Sequence, residues 1–229
     1  MLKRFGILTA IGLLVVACGG VSEEDHENAQ SEVKSLRNDL TVTQRKLAEA
    51  EAKSDVVNQR LAFLAQQIKG TKVRIKTSMG DMEAEFYPEQ APIHSFSFIA
   101  RAESGFYDGT MFHRVISGFM IQGGDPLSKD SDPANDGSGG PIVAIPHEFN
   151  SIKHAKGILS MARVGDKSFG AGSQFFVMHA ANPRLDGEYT VFGKVTKGLD
   201  VLDKIAATKT SSGDRPLKNV VIKTIEVFR

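Results

Sequence analysis

The stretch FHRVISGFMIQGGD, residues Phe112–Asp125, is the part of the sequence that says most about the fold. It packs one fixed cation, one amide and several apolar side chains into a short β-type run. Gln122 lies eight residues after Arg114, and because side chains alternate along a strand, the two share a face with Met120. Alternating aromatic residues are also ordinary in a half-buried strand, and a lone arginine is usually a surface group. The stretch therefore predicts a β-strand with a candidate site on one face.

Two further segments extend this pattern. GILSMA at residues 157–162 is followed by GSQFFV at residues 172–177, and Asp186-Gly187 is followed by VFGKV at residues 191–195. Together with the first stretch, they resemble the signatures of the cyclophilins, a family of peptidyl-prolyl cis/trans isomerases. Three matches in the same order argue against coincidence.

The resemblance implies the fold of residues 70–229: a mainly β domain in which a closed eight-stranded antiparallel β-barrel is capped by two α-helices. The residues agree with this expectation. Alternating apolar residues at 72–77 precede a turn at 79–82, which predicts an opening hairpin. Apolar spacing predicts the two helices at residues 92–103 and 199–207.

The resemblance also implies the reaction, rotation about X-Pro peptide bonds. An amide resists rotation by about 18–20 kcal/mol because the nitrogen lone pair is delocalised into the carbonyl. Since no covalent bond is made or broken, catalysis needs no metal ion, nucleophile or cofactor, but only stabilisation of a twisted peptide with a pyramidal nitrogen. Arg114 is the predicted catalytic residue, because its guanidinium stays charged and offers several donors in a rigid plane. Gln122 is predicted to orient that guanidinium or to bind a substrate carbonyl.

A substrate-binding set around these two residues is implied by the same resemblance. Its members are the proline-pocket walls Phe119, Met120, Phe176 and Leu185, the aromatic wall Tyr189, Gln174 beside Arg114, Ala162 with the backbone of Arg163, and the turn at Gly137 that borders the groove. Strand alternation alone would not put both Phe119 and Met120 in one pocket, so that pair rests on the resemblance.

Three positions depart from better-known cyclophilins. Arg184 stands where many members have Trp, Tyr189 where many have His, and Arg163 where Asn is common. Tyr189 still supplies an aromatic ring and a hydroxyl. Because Arg184 removes the indole that grips the inhibitor cyclosporin, we expect weak inhibition.

Composition and motifs argue against other classes of site. With 28 basic and 27 acidic side chains, the formal charge of +1 gives no reason to expect a nucleic-acid partner. The six histidines, which include His113, His147, His154 and His179, show no zinc-ligand spacing. Alternation points His113 away from the face of Arg114, which predicts a structural role.

Residues 1–17 have the layout of a secretory signal: two basic residues, an apolar run, and a small residue before Cys18. A short membrane anchor is the alternative, but the apolar run is shorter than the roughly 20 residues that a spanning helix needs. Residues 15–18 (VVAC) also resemble a bacterial lipobox, which predicts acylation of Cys18 followed by a short linker at residues 18–21. Anchoring would place the protein on the periplasmic side of an outer membrane, or on the outer face of a plasma membrane in a one-membrane cell.

Residues 22–69 lack Pro and Gly and are predicted to form a helical spacer. Apolar positions recur in steps of three and four from Val33 to Ile68 over five heptads, which indicates a coiled coil and a possible homo-oligomer. Thr43, Ala50 and Ser54 weaken the middle of this seam. A lone amphipathic helix lying on the domain or the membrane is the alternative.

Two functional classes fit the sequence. In the first, an envelope-anchored isomerase assists the folding of exported client proteins. In the second, a tethered module binds or chaperones proline-containing segments, and its turnover is incidental. The intact set around Arg114 favours the first.

Overall fold

The computed structural model describes residues 22–140 and 144–229. The chain divides into two compact units, the first ending at Val56 and the second spanning Val57–Arg229. The predicted signal segment, the lipidation site Cys18 and the short linker at residues 18–21 all lie outside the described residues.

Helix α1 runs from Glu23 to Ile68 and confirms the predicted long helix. Its start is stabilised reciprocally, because the Ser22 hydroxyl accepts from the Asp25 N–H at 3.1 Å and the Asp25 carboxylate accepts from the Ser22 N–H at 3.3 Å. Acidic residues in the first turn also suit the helix dipole. Gly70, with φ of 78°, follows the helix.

The apolar seam of α1 is uncovered along most of its length. Leu36, Leu40, Leu47 and Val57 are each more than half exposed, whereas Ala65 and Ile68 in the last turns are buried. Coiled-coil pairing therefore stays a prediction. None of the helices in the described parts of the chain combines the length and apolarity needed to cross a membrane.

The second unit is built around one antiparallel sheet of eight strands. Along the sheet the order is β3-β4-β6-β5-β7-β2-β1-β8. The strands are β1 (Lys72–Thr77), β2 (Gly80–Phe86), β3 (Arg114–Ile116), β4 (Met120–Gly123), β5 (Ile158–Arg163), β6 (Ala171–Met178), β7 (Val191–Lys197) and β8 (Ile222–Phe228).

The two ends of the sheet approach each other but do not form a ladder within the described residues. The chain just before β3 bonds to the chain at the start of β8: the Phe112 N–H donates to the Val220 carbonyl at 2.9 Å, and the Ile222 N–H donates to the Thr110 carbonyl at 2.7 Å. Met111 and Val221 form an isolated bridge. The eight antiparallel strands are as predicted, and the sheet is a curled half-barrel whose ends meet at this bridge rather than through a further strand pairing.

Two helices flank the sheet where they were predicted, α2 at Pro92–Glu103 and α3 at Leu199–Ala206. The N-terminus of α2 is capped from a distant loop, because the Glu148 carboxylate accepts from the N–H groups of Ile93 and His94 at 3.0 and 2.9 Å. This cap satisfies two donors that the helix cannot pair internally.

Apolar side chains form two separate clusters on the two faces of the sheet. On β6, Phe175 lies in the main core, where its ring meets Phe98 edge-on with centroids 5.1 Å apart, whereas Phe176 lies in the second cluster. Successive side chains of a strand point to opposite faces. The second cluster also holds Met120 and Met178, and it forms the floor of the candidate site.

Candidate active site

Strand pairing places the predicted catalytic residues in one row. Arg114 on β3 is the register partner of Gln122 on β4, and Gln122 is the partner of Phe176 on β6. Directly opposed residues of an antiparallel pair point to the same face with Cβ atoms about 4.5–5.5 Å apart. Arg114, Gln122 and Phe176 therefore stand side by side on the outer face of the sheet.

This row borders a concave cavity of about 200 Å³. Met120 and Phe176 are almost fully buried beneath it, with exposed fractions of 2% and 5%. Nine of the residues predicted from the sequence come together here: Arg114, Phe119, Met120, Gln122, Ala162, Arg163, Phe176, Leu185 and Tyr189. A mostly apolar hollow with a few polar groups at its edge is the usual form of a small ligand site.

Phe119 and Met120 share the cavity because the strand begins between them. Phe119 lies in the turn that joins β3 and β4, and β4 begins at Met120. The carbonyl of Phe119 accepts from the His179 N–H at 2.9 Å, which fixes the turn against the end of β6. Since Phe119 is outside the strand, alternation does not apply to it.

Gln122 is held by a chain of amide hydrogen bonds. Its Nε2 donates to Oε1 of Gln174 at 2.9 Å, and Nε2 of Gln174 donates to the carbonyls of Gly137 and Gly139 at 2.8 Å each. Gln174 thus contacts Gln122 directly and lines the neighbouring groove of about 660 Å³ together with Gly137, rather than the cavity of Arg114. The arrangement leaves Oε1 of Gln122 to accept a hydrogen bond from Arg114 or from a ligand.

Arg114 is half exposed, with 44% of its side chain accessible to solvent. Its Nε lies 3.5 Å from Oδ2 of Asp214, a residue in the segment between α3 and β8. Asp214 could not be found from the sequence, because nothing in the pattern brings a turn residue 100 positions away beside Arg114.

The Arg163 side chain is buried in the cavity rim. Its Nε donates to the Glu188 carbonyl at 3.0 Å, and its Nη1 donates to the carbonyls of Val164 and Gly165 at 2.9 and 3.0 Å. Only 9% of the side chain is exposed. The resemblance assigned this position a backbone role, so the bridging guanidinium is an additional feature of the structure.

A buried Asp-His-Ser arrangement lies behind Phe176. Nδ1 of His154 is 3.1 Å from Oδ1 of Asp186, and Nε2 of His154 is 3.1 Å from Oγ of Ser160. Burial lowers the pKa of His154, and Asp186 partly opposes that shift. Because Ser160 is fully buried and its hydroxyl donates to the Thr190 carbonyl, no substrate carbonyl can reach it, and the trio supports the pocket wall instead.

Two other histidines, His113 and His179, have structural surroundings. His113 is buried, with an exposed fraction of 6%, and burial lowers its pKa against the opposing charges of Asp125 and Asp136. Nδ1 of His179 accepts from the Gly118 N–H at 2.9 Å. Within residues 22–140 and 144–229, no three His, Cys, Asp or Glu side chains are grouped so that they could hold a metal ion.

The fold and site together fit a class of protein that binds a small ligand in an apolar cavity beside a fixed cation and does no covalent chemistry on it. In the described part of the chain, the cavity lining holds a fixed cation, one amide and apolar walls, with no serine, cysteine or histidine that could attack a carbonyl.

Comparisons with known proteins agree with this class. The family profile "Cyclophilin type peptidyl-prolyl cis-trans isomerase/CLD" matches residues 72–227. Peptidyl-prolyl cis-trans isomerase CYP18-1 of Arabidopsis thaliana is 42% identical over 161 residues, which are 68% of this chain and 94% of the relative. Peptidyl-prolyl cis-trans isomerase-like 3 of Dictyostelium discoideum is 39% identical over 160 residues, with 68% and 94% of the two chains covered.

A solved structure shows the same fold. The cyclophilin-type isomerase of Cryptosporidium parvum, crystallised in the presence of the dipeptide Ala-Pro, aligns with a TM-score of 0.63 and 36% identity over 69% of this chain and 99% of its own. The chain therefore belongs to the cyclophilin family, and it is a cyclophilin-type peptidyl-prolyl cis-trans isomerase. The family match leaves out the first 71 residues.

Proposed function

We propose that Arg114 is the catalytic group of this isomerase. The observation that carries the proposal is the pairing of Arg114 with Gln122 at the edge of an apolar cavity floored by Met120 and Phe176. A proline ring bound in that cavity would place its peptide nitrogen close to the guanidinium. As the peptide twists, the nitrogen lone pair is released from the carbonyl and can accept a hydrogen bond. A fixed cationic donor stabilises that state more than the planar ground state, which lowers the barrier.

The substrates are proline-containing peptides. The Cryptosporidium parvum relative was crystallised in the presence of Ala-Pro, and the cavity walled by Phe119, Phe176 and Leu185 offers a proline ring an apolar site in this chain. The groove beside Gln174 and Gly137 would hold residues next to the proline, with backbone carbonyls and amides along its wall. Direct binding of an Ala-Pro tetrapeptide, measured by NMR titration of the cavity residues, tests this part of the proposal. Resonance changes outside the cavity and groove would count against it.

We further propose that the protein works at a bacterial envelope. The basis is the sequence of residues 1–18, in which a signal-like segment ends at a lipobox and Cys18. Several acyl chains would anchor the protein durably, since each buried CH₂ contributes about 0.8 kcal/mol. Exported proteins that fold outside the cytoplasm would then be its clients.

Expression of the full chain and of Cys18→Ala in a bacterium tests the anchor. Labelled palmitate should enter the wild type and not the variant, and the variant should leave the membrane fraction. Equal membrane association without label would show that residues 1–17 act as an uncleaved anchor instead.

We also propose that the exposed part of the seam, from Val33 to Val57, pairs with the seam of a second copy; Ile68, at the predicted end of the seam, is buried in the core of the domain instead. The specific support is the spacing: a repeat of 3.5 residues is the requirement for two helices to stay in register as a coiled coil, and it is not needed by a helix lying on a flat surface. The exposure of Leu36, Leu40 and Leu47 in the single chain leaves that seam free for such a partner.

A further inference from the structure

Asp214 has an unusual backbone conformation. Among residues 22–140 and 144–229 it is the one non-glycine residue with a positive φ, 63°. L-residues rarely adopt this region, although Asp and Asn tolerate it better than most, and such conformations concentrate at functional sites. A glycine, such as the neighbouring Gly213, adopts this backbone conformation at no steric cost. The conformation of the turn therefore does not explain why an aspartate occupies this position.

Asp214 makes two contacts with neighbouring residues of strand β3. Its carbonyl accepts from the Val115 N–H at 2.8 Å, and its Oδ2 lies 3.5 Å from Nε of Arg114. Because β3 is an edge strand, the Val115 N–H would otherwise lack a partner from the sheet on that side. The left-handed turn thus lets one residue hold both the backbone and the side chain of the strand that carries Arg114.

The turn itself is anchored from two sides. The Asp214 N–H donates to the Ser211 carbonyl at 3.1 Å. The adjacent Arg215 forms an ion pair with Asp136, with Nε and Oδ2 2.6 Å apart, and only 7% of the Asp136 side chain is exposed. Asp136 precedes Gly137 of the groove, so this ion pair joins the turn to the groove wall.

We infer that Asp214 is a positioning residue for the reaction, holding the guanidinium of Arg114 in its productive orientation. An arginine side chain that is 44% exposed can adopt many rotamers. An ion pair at Nε restricts those rotamers. The hydrogen bond to the proline nitrogen would then come from a terminal nitrogen of the guanidinium. The inference rests on the proposed catalytic role of Arg114.

A competing electrostatic effect acts in the opposite direction. The Asp214 carboxylate lowers the positive potential at Arg114, and if that effect dominated, its removal would speed catalysis. Asp214 is 42% exposed, and solvent and salt screen charges at such a position. This screening weakens both effects, so the sign of the change in kcat/KM when the carboxylate is removed decides between them.

The discriminating variant is Asp214→Gly in the complete chain with Cys18 replaced by Ser. Glycine adopts positive φ freely, so the backbone and its bond to Val115 should persist and thermal stability should be equal or higher. We expect kcat/KM to fall by about two- to fivefold, as for the loss of an exposed ion pair. Asparagine also tolerates this conformation and keeps an oxygen acceptor, so kcat/KM of Asp214→Asn should lie between the values of the wild type and of Asp214→Gly. Asp200→Asn, which breaks an exposed ion pair with Lys204 on α3, is the matched control and should change nothing.

Three readouts separate positioning from a structural role. The deficit of Asp214→Gly should shrink at high salt, the NMR signal of the Arg114 Nε–H should broaden or shift, and Asp214→Gly should have little effect when Arg114→Ala is already present. Unchanged or faster isomerisation by Asp214→Gly would overturn the inference. So would a loss of thermal stability large enough to explain the fall in kcat/KM. An equal fall in kcat/KM when Arg114→Ala is already present would overturn it as well. Full activity of Arg114→Ala by itself would instead overturn the proposed function, and the inference with it.

Discussion

The guanidinium of Arg163 lies over the ring of Tyr189, with its Cζ 4.5 Å from the ring centre. Tyr189 in turn meets Phe176 edge-on, with ring centroids 5.7 Å apart. Arg163 also donates to carbonyls on both sides of the rim, those of Glu188 and Val164. The two walls of the cavity are therefore tied together by one buried side chain.

Replacing Arg163 by Ala should remove the contacts that hold Tyr189 and the Glu188 backbone at the edge of the cavity. We expect KM for an Ala-Pro peptide to rise by about five- to tenfold, as for the loss of roughly 1–1.4 kcal/mol, while kcat changes little. Arg163→Lys keeps the charge but not the planar fork, and it should behave much like Ala. Lys167→Ala, which removes the exposed ion pair with Glu188 and a cation–π contact with Phe149 but leaves the Arg163 contacts in place, is the control. A fall in kcat at constant KM would contradict this account of Arg163.

The pH dependence of stability should differ from that of activity. Burial lowers the folded-state pKa of His113 and of His154, so on acidification the unfolded chain takes up these protons first. Their contribution to stability is complete above the unfolded pKa of about 6.5 and is lost as the pH falls below it. The free energy of unfolding should therefore drop between pH 7 and pH 5, by up to about 1.4 kcal/mol per pH unit for each histidine.

Urea unfolding at pH 7, 6 and 5 measures this slope, and His113→Gln should reduce it. Because the proposed mechanism uses no titrating acid or base, kcat/KM of the folded enzyme should stay flat. A bell-shaped profile of kcat/KM would indicate acid-base chemistry and would argue against the proposed mechanism.

Gly137 should be sensitive to substitution for a backbone reason. Its φ is 86°, and its carbonyl accepts from Gln174. A Cβ there would meet nothing closer than 3.6 Å, so the cost of Gly137→Ala is strain of about 1–2 kcal/mol rather than a clash. We expect lower stability and weaker binding of peptides that extend into the groove. At Gly140 φ is not positive and a Cβ would meet nothing within 4 Å, so Gly140→Ala should change neither stability nor peptide binding. Equal effects of the two variants would contradict this reason.

The helical seam gives a prediction about assembly. The double variant Leu40→Glu, Leu47→Glu puts charges on two exposed seam positions of α1. If the seam pairs with a second copy, residues 22–229 of the wild type should sediment as an oligomer and the variant as a monomer, with equal isomerase activity per chain. A monomeric wild type at concentrations of tens of micromolar would rule out self-pairing of this strength.

Local sequence patterns were enough to predict much of the fold. The absence of Pro and Gly over residues 22–69 predicted α1, and alternation at residues 72–77 predicted β1. Both patterns depend on contacts between neighbours in the chain. How the ends of the sheet meet depends instead on the bridge between Met111 and Val221, which no local pattern specifies.

In the candidate site, too, some residues could be predicted from local sequence and others depend on tertiary contacts. Arg114 and Gln122 were predicted on one face of a single strand. The single strand was wrong, because a turn at residues 117–119 divides the stretch into β3 and β4, and the two residues share a face as cross-strand partners. The side chain of Arg163 and the approach of Asp214 were not anticipated, because each depends on a loop whose path is set by tertiary contacts. The run of turn residues before Asp214 signals a turn, but not what the turn approaches.

The most direct test of the account compares wild type with Arg114→Ala and Arg114→Lys in the cis/trans interconversion of an Ala-Pro tetrapeptide. Removing one preorganised donor should reduce kcat/KM by about 10²–10³-fold, while the affinity for a proline peptide, measured separately, changes by less than about tenfold. Arg114→Lys should recover only part of the activity, because a single ammonium lacks the planar donor array. Isomerisation by Arg114→Ala at close to the wild-type rate would contradict the central claim.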